Sequence, residues 1–305
     1  MTNRREFLAK LTMAAGAVTV LKPLSAFADF GIYSPSVLQS NKLILLHTAN
    51  LKGQLATLHG SEKFSGLGGI QNMVKSIDSV RKERAAVLLM DAGNMGSSRG
   101  CKNKTEVQFY QEISRLKYDA AMPGHSDLAK GSLYFDELAK HGRVEVLTNK
   151  GVGVVPHRII TKGNIKIGII AVKAPSLKKL PLSLISAINN TAANLKEINN
   201  CRLVISIVQG NLFQCKHLAQ LTQHIDVIAT SVENHTIHNT TVLHNKNGHE
   251  VIMSAAGAKG AMVSRIDIVF NDDREKINVA SKAIFAGAKD EGYASIVKKC
   301  AMYKA

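Results

Sequence analysis

At 305 residues, with 45% hydrophobic and 20% charged residues, the chain is long enough to bury a large core and too apolar to be disordered. Only 5% of its residues are aromatic and none is Trp, which argues against the stacking platforms that hold single-stranded nucleic acid. The formal charge of +16 suits an anionic ligand or an acidic partner, although the Lys and Arg residues are scattered and a solubilising surface accounts for them as well.

The first elements form an address label. "NRREFLAK" sets Arg4 and Arg5 ahead of Phe7 and Leu8, "LTMAAGAVTVL" is a moderately apolar core, and Ala26 to Ala28 is a small-x-small cleavage site. Residues 1–28 therefore read as a Tat signal, which predicts a periplasmic protein that first meets the Tat export machinery. They carry Arg4, Arg5, Lys10 and Lys22 against Glu6, a net +3, leaving +13 on the remainder. No later apolar run approaches the roughly twenty residues of a membrane span.

A lead-in over 29–42 opens a domain expected to run from 43 to 285, with a tail over 286–305. "KLILLH" reads as a buried strand, and "GLGGIQNMVKSIDSVRKER" places Leu67, Ile70, Met73, Val74, Ile77 and Val80 on one helical face. "AAVLLMDAGN" is a second strand, ending near Asp91 and Asn94. A helix follows from about Thr105 to Leu116, then "YDAAMPGHSD", a strand end with a Pro-Gly turn. "GRVEVLTNKG" is expected to continue the sheet, and "HRIITKGNIKIGIIAV" reads as a hairpin.

Helix "SLISAINNTAANLKEIN" leads into strand "RLVISIVQGN", and helix "LFQCKHLAQLTQH" into strand "IDVIATS". From Thr240 onward "TTVLH", "EVIMSA", "MVSRIDIVF" and "NVASKAIF" are strands. An α/β first part and a β-rich last part predict two sheets in one domain flanked by helices. Cys101, Cys201, Cys215 and Cys300 lack CxxC spacing and are read as thiols, their pairing left open.

The strand-end loops come in the order "HTANLKGQL", "DAGNMGSS", "YDAAMPGHSDLAKG", "ISIVQGN" and "IDVIATSVENHT". From about Leu43 to Phe270 this series resembles the calcineurin-like metallophosphoesterases, in particular the 5'-nucleotidase branch that includes UDP-sugar hydrolases and the thiohydrolases of sulfur oxidation. The resemblance implies a four-layer α/β sandwich, two mixed β-sheets flanked by helices. It also implies a C-terminal nucleoside-binding domain, which this chain is expected to lack because it ends about where that domain would begin.

The family's chemistry needs two divalent cations held by carboxylates, imidazoles and one Asn, which activate a water and clamp a phosphoryl oxygen. Matched position by position, the metal-binding Asp of the first motif falls on Asn50 and its His on Lys52. The bridging Asp falls on Asn94, the metal-binding Asn on His125, the catalytic His on Ser126 and the His of the fourth motif on Gln209. In the last motif an ungapped match puts Val232 and Asn234 on the two His positions, whereas one inserted residue puts Glu233 and His235 there. That second register leaves His125, Glu233 and His235 as a set able to bind a single Mn or Zn.

Two Asp-to-Asn changes remove two negative charges, and Lys52 adds a positive one at a metal's address. Repulsion between an ammonium and a cation pair at contact costs several kcal/mol even at an effective dielectric near 20. No cofactor is therefore expected, and Asn50, Lys52, Asn94, Ser126 and Gln209 form either an anion-binding pocket or a closed cleft whose groups satisfy one another. His47 is expected to pack and hydrogen-bond. His59, His217, His224, His238, His244 and His249 are read as surface-loop residues. The favoured function is a pseudoenzyme that binds an anionic small molecule or an acidic periplasmic protein. The alternative is a metal-dependent hydrolase of phosphoesters or a related sulfur ester with an unusual ligand set, and nucleic acid is the weakest candidate partner.

Overall fold

The computed structural model describes residues 41–59, 64–97, 103–148, 155–177, 179–231, 239–256, 258–273 and 275–287, all within the compact unit Gln39–Ala305. The segment read as a leader, most of the lead-in and all but the first two residues of the tail lie outside them.

In chain order the elements are β1 (Lys42–Thr48), α1 (Ile70–Arg81), β2 (Ala86–Asp91), α2 (Asn103–Ile113), β3 (Ala120–Ala121), α3 (Ser132–Gly142), β4 (His157–Lys162) and β5 (Ile165–Lys173). Then come α4 (Leu182–Ala193), β6 (Leu203–Gln209), α5 (Leu212–Leu221), β7 (Val227–Ser231), β8 (Asn239–His244), β9 (Glu250–Ala256), β10 (Met262–Phe270) and β11 (Lys276–Phe285). One mixed sheet has the order β11-β10-β1-β2-β3, the other β4-β5-β6-β7-β9-β8.

Period-two alternation sorts each strand's side chains between two layers. Leu43 and Leu45 of β1 face the second sheet, meeting Ile167 and Ile169 of β5 and Ile205 and Ile207 of β6 in a core between the sheets. Ile44 and Leu46 face the other way, onto Ile70, Met73 and Ile77 of α1 and Phe109 and Ile113 of α2. On the far side Ile170 and Val172 of β5 pack with Ile185 and Ile188 of α4 and Leu218 of α5. The result is helices, sheet, sheet, helices, the four-layer α/β sandwich expected from the sequence. With β1 buried on both faces, Leu45→Ala is expected to cost about 2–5 kcal/mol.

Four readings are corrected. Leu67 precedes α1 and packs with Leu58, Phe64 and Phe285 in a separate cluster, because α1 begins only at Ile70, after Gly69. "GRVEVLTNKG" supplies, among the described residues, one bridge, Val146 to Ala121, rather than a strand. The helix α3 was not anticipated; its buried Phe135, Leu138, Ala139 and Gly142 follow helical spacing. His217 lies on α5 and His244 on β8 instead of in loops.

In the first sheet β1, β2 and β3 run parallel, and in the second β5, β6, β7 and β9 do. The backbone N–H of Lys259, in the turn after β9, donates to the Asn50 carbonyl at 2.8 Å, so the carboxyl edges of the two sheets meet there.

Candidate functional site

The loops after β1 and β2 continue side by side past the strand ends. Asn50 N donates to Gly93 O at 2.9 Å, Lys52 N to Asn94 O at 3.0 Å and Gly53 N to Met95 O at 2.9 Å. This parallel run bends through the left-handed region at Asn50 (φ 53°), Lys52 (φ 51°) and Asn94 (φ 59°). Asn tolerates that conformation. For Lys it costs on the order of 1–2 kcal/mol, which the flanking backbone bonds hold in place.

The side chains meet at Asn94. Its Oδ1 accepts from the backbone N–H of Ser126 and from Ser126 Oγ, each at 3.1 Å, and its Nδ2 donates to Asn50 Oδ1 at 2.9 Å. The amide's orientation follows from chemistry, since only an oxygen can accept from a backbone N–H. Asn50 and Asn94 are buried. Gly124 makes the approach possible: a Cβ there would lie 2.2 Å from Asn94 N and 2.3 Å from its Oδ1.

Two buried carboxyls brace these loops. Asp127 accepts from Gly124 N and Gly96 N at 2.6 Å and from Met95 N at 3.2 Å, clasping the turn after β3 to the loop after β2. Its pKa lies above the usual carboxylate value because burial outweighs those donors. Asp91, at the end of β2, accepts from Gly93 N at 2.8 Å and Thr48 Oγ1 at 2.6 Å, and Thr48 Oγ1 is 2.6 Å from Tyr118 Oη. Burial pushes Asp91 up to about 8, so it is largely protonated at pH 7. Asp91, Asp127 and Lys259 are site-edge residues that the motif reading missed. The available signals were carboxyls at the end of a wholly apolar strand and within a Pro-Gly turn, and the glycine-flanked "GAKG".

Of the five residues read as a pocket, three are joined by side-chain bonds (Asn50, Asn94 and Ser126) and Lys52 joins through its backbone. The Lys52 side chain is exposed. Gln209 ends β6, half-buried and opposite Lys173 of β5. Its Oε1 is buried without a hydrogen-bond partner among the described residues. His125 is exposed on the turn beside Ser126, and Val232, Glu233, Asn234 and His235 lie outside the described residues. His47 is buried with Nε2 3.0 Å from Ser254 Oγ, the packing role expected. Cys201 and Cys215 are buried free thiols.

No three His, Cys, Asp or Glu side chains converge among the described residues. The donor set explains why. Both lone pairs of Asn94 Oδ1 are taken by Ser126, Asn50 Oδ1 faces an N–H, and Asp91 and Asp127 are occupied by backbone and hydroxyl donors. These residues do not fit a pair of divalent ions, which needs ionised carboxylates with free lone pairs.

This αββα arrangement is a calcineurin-like phosphoesterase fold. Among solved structures, it is similar to a 5'-nucleotidase precursor of Thermus thermophilus, with TM-score 0.69 and 17% identity over 86% of this chain and 59% of that one. An NAD nucleotidase of Haemophilus influenzae matches with TM-score 0.65 and 16% identity over 86% of this chain and 56% of the other. The calcineurin-like phosphoesterase YfkN of Bacillus subtilis matches with TM-score 0.57 and 14% identity, and there this chain covers 97% of the matched chain. The first two are thus spanned over little more than half their length. No protein-family model and no curated protein matches the sequence.

Proposed function

We propose that this chain is an exported protein that carries the phosphoesterase scaffold without two-metal chemistry and acts in the periplasm by binding a small anion, its basic surface suiting an acidic protein partner as well. The observation that supports this most directly is the Asn94 amide, spent on Asn50 and Ser126 at the position that the family resemblance gives to a bridging carboxylate. An amide pair is neutral and adds no repulsion toward an anion. The exposed Lys52 ammonium supplies the attraction, the Gln209 amide supplies N–H donors, and Ser126 Oγ can turn its one proton from Asn94 Oδ1 to the anion while the Ser126 backbone N–H keeps that oxygen satisfied.

Thermal unfolding with sulfate or inorganic phosphate, in the presence of chelator, tests the reading. A ligand at a hundred times its Kd stabilises the folded state by about 2.7 kcal/mol. Protection is expected to survive chelation and to be lost in Lys52→Ala. Protection that requires manganese, or that persists in Lys52→Ala, would contradict it, as would hydrolysis of a generic phosphodiester above the uncatalysed blank.

A further inference from the structure

Beyond the turn that carries Ser126, Met122 and Pro123 line a cavity of about 300 Å³. That is the lower end of the roughly 300–1,000 Å³ typical of small-molecule pockets. Its walls come from the end of β3, the end of β5 and the first turns of α3 and α4, with Leu128, Val172 and Leu184 giving it an apolar lining. Lys173 is the one charged side chain among the described lining residues, and it is exposed at the end of β5.

Two of the lining residues have exposed leucines close by in sequence. Leu133, next to the lining residue Ser132, is 81% exposed, and Leu182, two residues from Leu184, is 73% exposed. Neither serves the core, and large apolar side chains left in solvent mark a contact surface. The helices that carry them begin without a side-chain cap and without an acidic residue in the first turn, at Gly131 for α3 and Pro181 for α4. Helix N-termini of this kind carry partial positive charge, the same sign as Lys173.

We propose that this cavity binds a small amphiphilic anion, its apolar tail among Leu128, Val172 and Leu184 and its acid group at Lys173. An uncharged apolar ligand would leave the ammonium unused, and a cationic one would meet it as a like charge. None of the lining residues belongs to the cluster around Asn94, although Lys173 stands opposite Gln209, so Lys52→Ala is the variant that separates this site from the anion reading at Lys52.

Calorimetric titration of the full chain with straight-chain carboxylates from hexanoate to dodecanoate, and with octylammonium as the oppositely charged control, tests the proposal. At least one carboxylate is expected to bind one to one, with octylammonium at least tenfold weaker. Leu184→Trp, which fills the cavity, should abolish binding. Lys173→Glu, at an exposed position, should weaken it at least tenfold without lowering the unfolding temperature, and Lys52→Ala should leave it unchanged. Equal affinity for octanoate and octylammonium, unaltered binding in Lys173→Glu, or no binding across the carboxylate series would overturn it.

Discussion

Asn94 donates its side-chain amide to Asn50 across the gap between two strand-end loops, at 2.9 Å and fully sheltered from solvent. The bond joins the two positions where the family resemblance places metal-binding carboxylates. It makes the cleft self-satisfied: each amide fills a need of the other, and no ion is required to hold the loops together.

Asn94→Asp should therefore destabilise the protein. The carboxylate cannot donate to Asn50 Oδ1, so two acceptors face each other in a buried site, with an expected loss of about 1–3 kcal/mol. Urea unfolding at pH 7 measures it. A variant as stable as the parent would show that the amide bond contributes nothing.

Asp91 predicts a pH dependence. Folding raises its pKa from 3.8 to about 8, so between these values the native state holds a proton that the unfolded chain has released. Stability contributed by this group is complete below about pH 4, falls as pH rises by up to about 1.4 kcal/mol per unit, and levels off above about pH 8. Asp127 is shifted in the same direction and adds to the slope. Asp91→Asn mimics the protonated carboxyl, since the Thr48–Tyr118 hydroxyls can reverse their donation. Its urea midpoint should fall less steeply from pH 5 to 8 and exceed the parent's at pH 9; parallel profiles would contradict this.

Gly124→Ala tests how closely the turn after β3 is seated. Its methyl would overlap Asn94 N and Oδ1, within 2.3 Å of both, and the backbone on either side is tied down by Asp127. Overpacking of this kind costs about 1–3 kcal/mol or more. Thermal unfolding should show it, with loss of anion protection, because Ser126 moves with the turn. An unchanged melting temperature would mean that the turn is not held against Asn94.

Much of the fold was legible in the sequence because its central strands are buried on both faces. "LILL" in β1 and "IGIIAV" in β5 need no alternation to be recognised, and the Lys-Gly-Asn turn at 162–164 fixes the hairpin between β4 and β5. The helix α3 is harder to read: Phe135, Leu138 and Ala139 carry a helical period, but they lie between a Pro-Gly turn and the β-branched "RVEV". That segment is not paired beyond Val146.

The candidate site was legible only in part. Loop order located Asn50, Lys52, Asn94 and Ser126, but residue type does not reveal that Asn94 turns its oxygen toward Ser126 and its nitrogen toward Asn50. That depends on the close approach at Gly124 and on the left-handed backbone at Asn50 and Asn94. Asp127 lies within the third motif, but its role is not readable there; it arises because three backbone N–H groups from two loops converge on one carboxyl.

Restoring charge should restore metal affinity. Asn50→Asp, Lys52→His and Asn94→Asp together return two carboxylates and an imidazole to the cleft and remove an ammonium. Manganese affinity, read by calorimetry, is expected to rise well above the parent's. No change would show that these three positions have been assigned to the wrong motif residues.

Elemental analysis of the full chain, purified after folding in excess manganese and zinc and then freed of loosely held metal, tests the central claim most directly. A neutral, internally bonded amide pair predicts metal far below one ion per chain. A stoichiometric pair of ions, accompanied by phosphodiester turnover, would contradict the account.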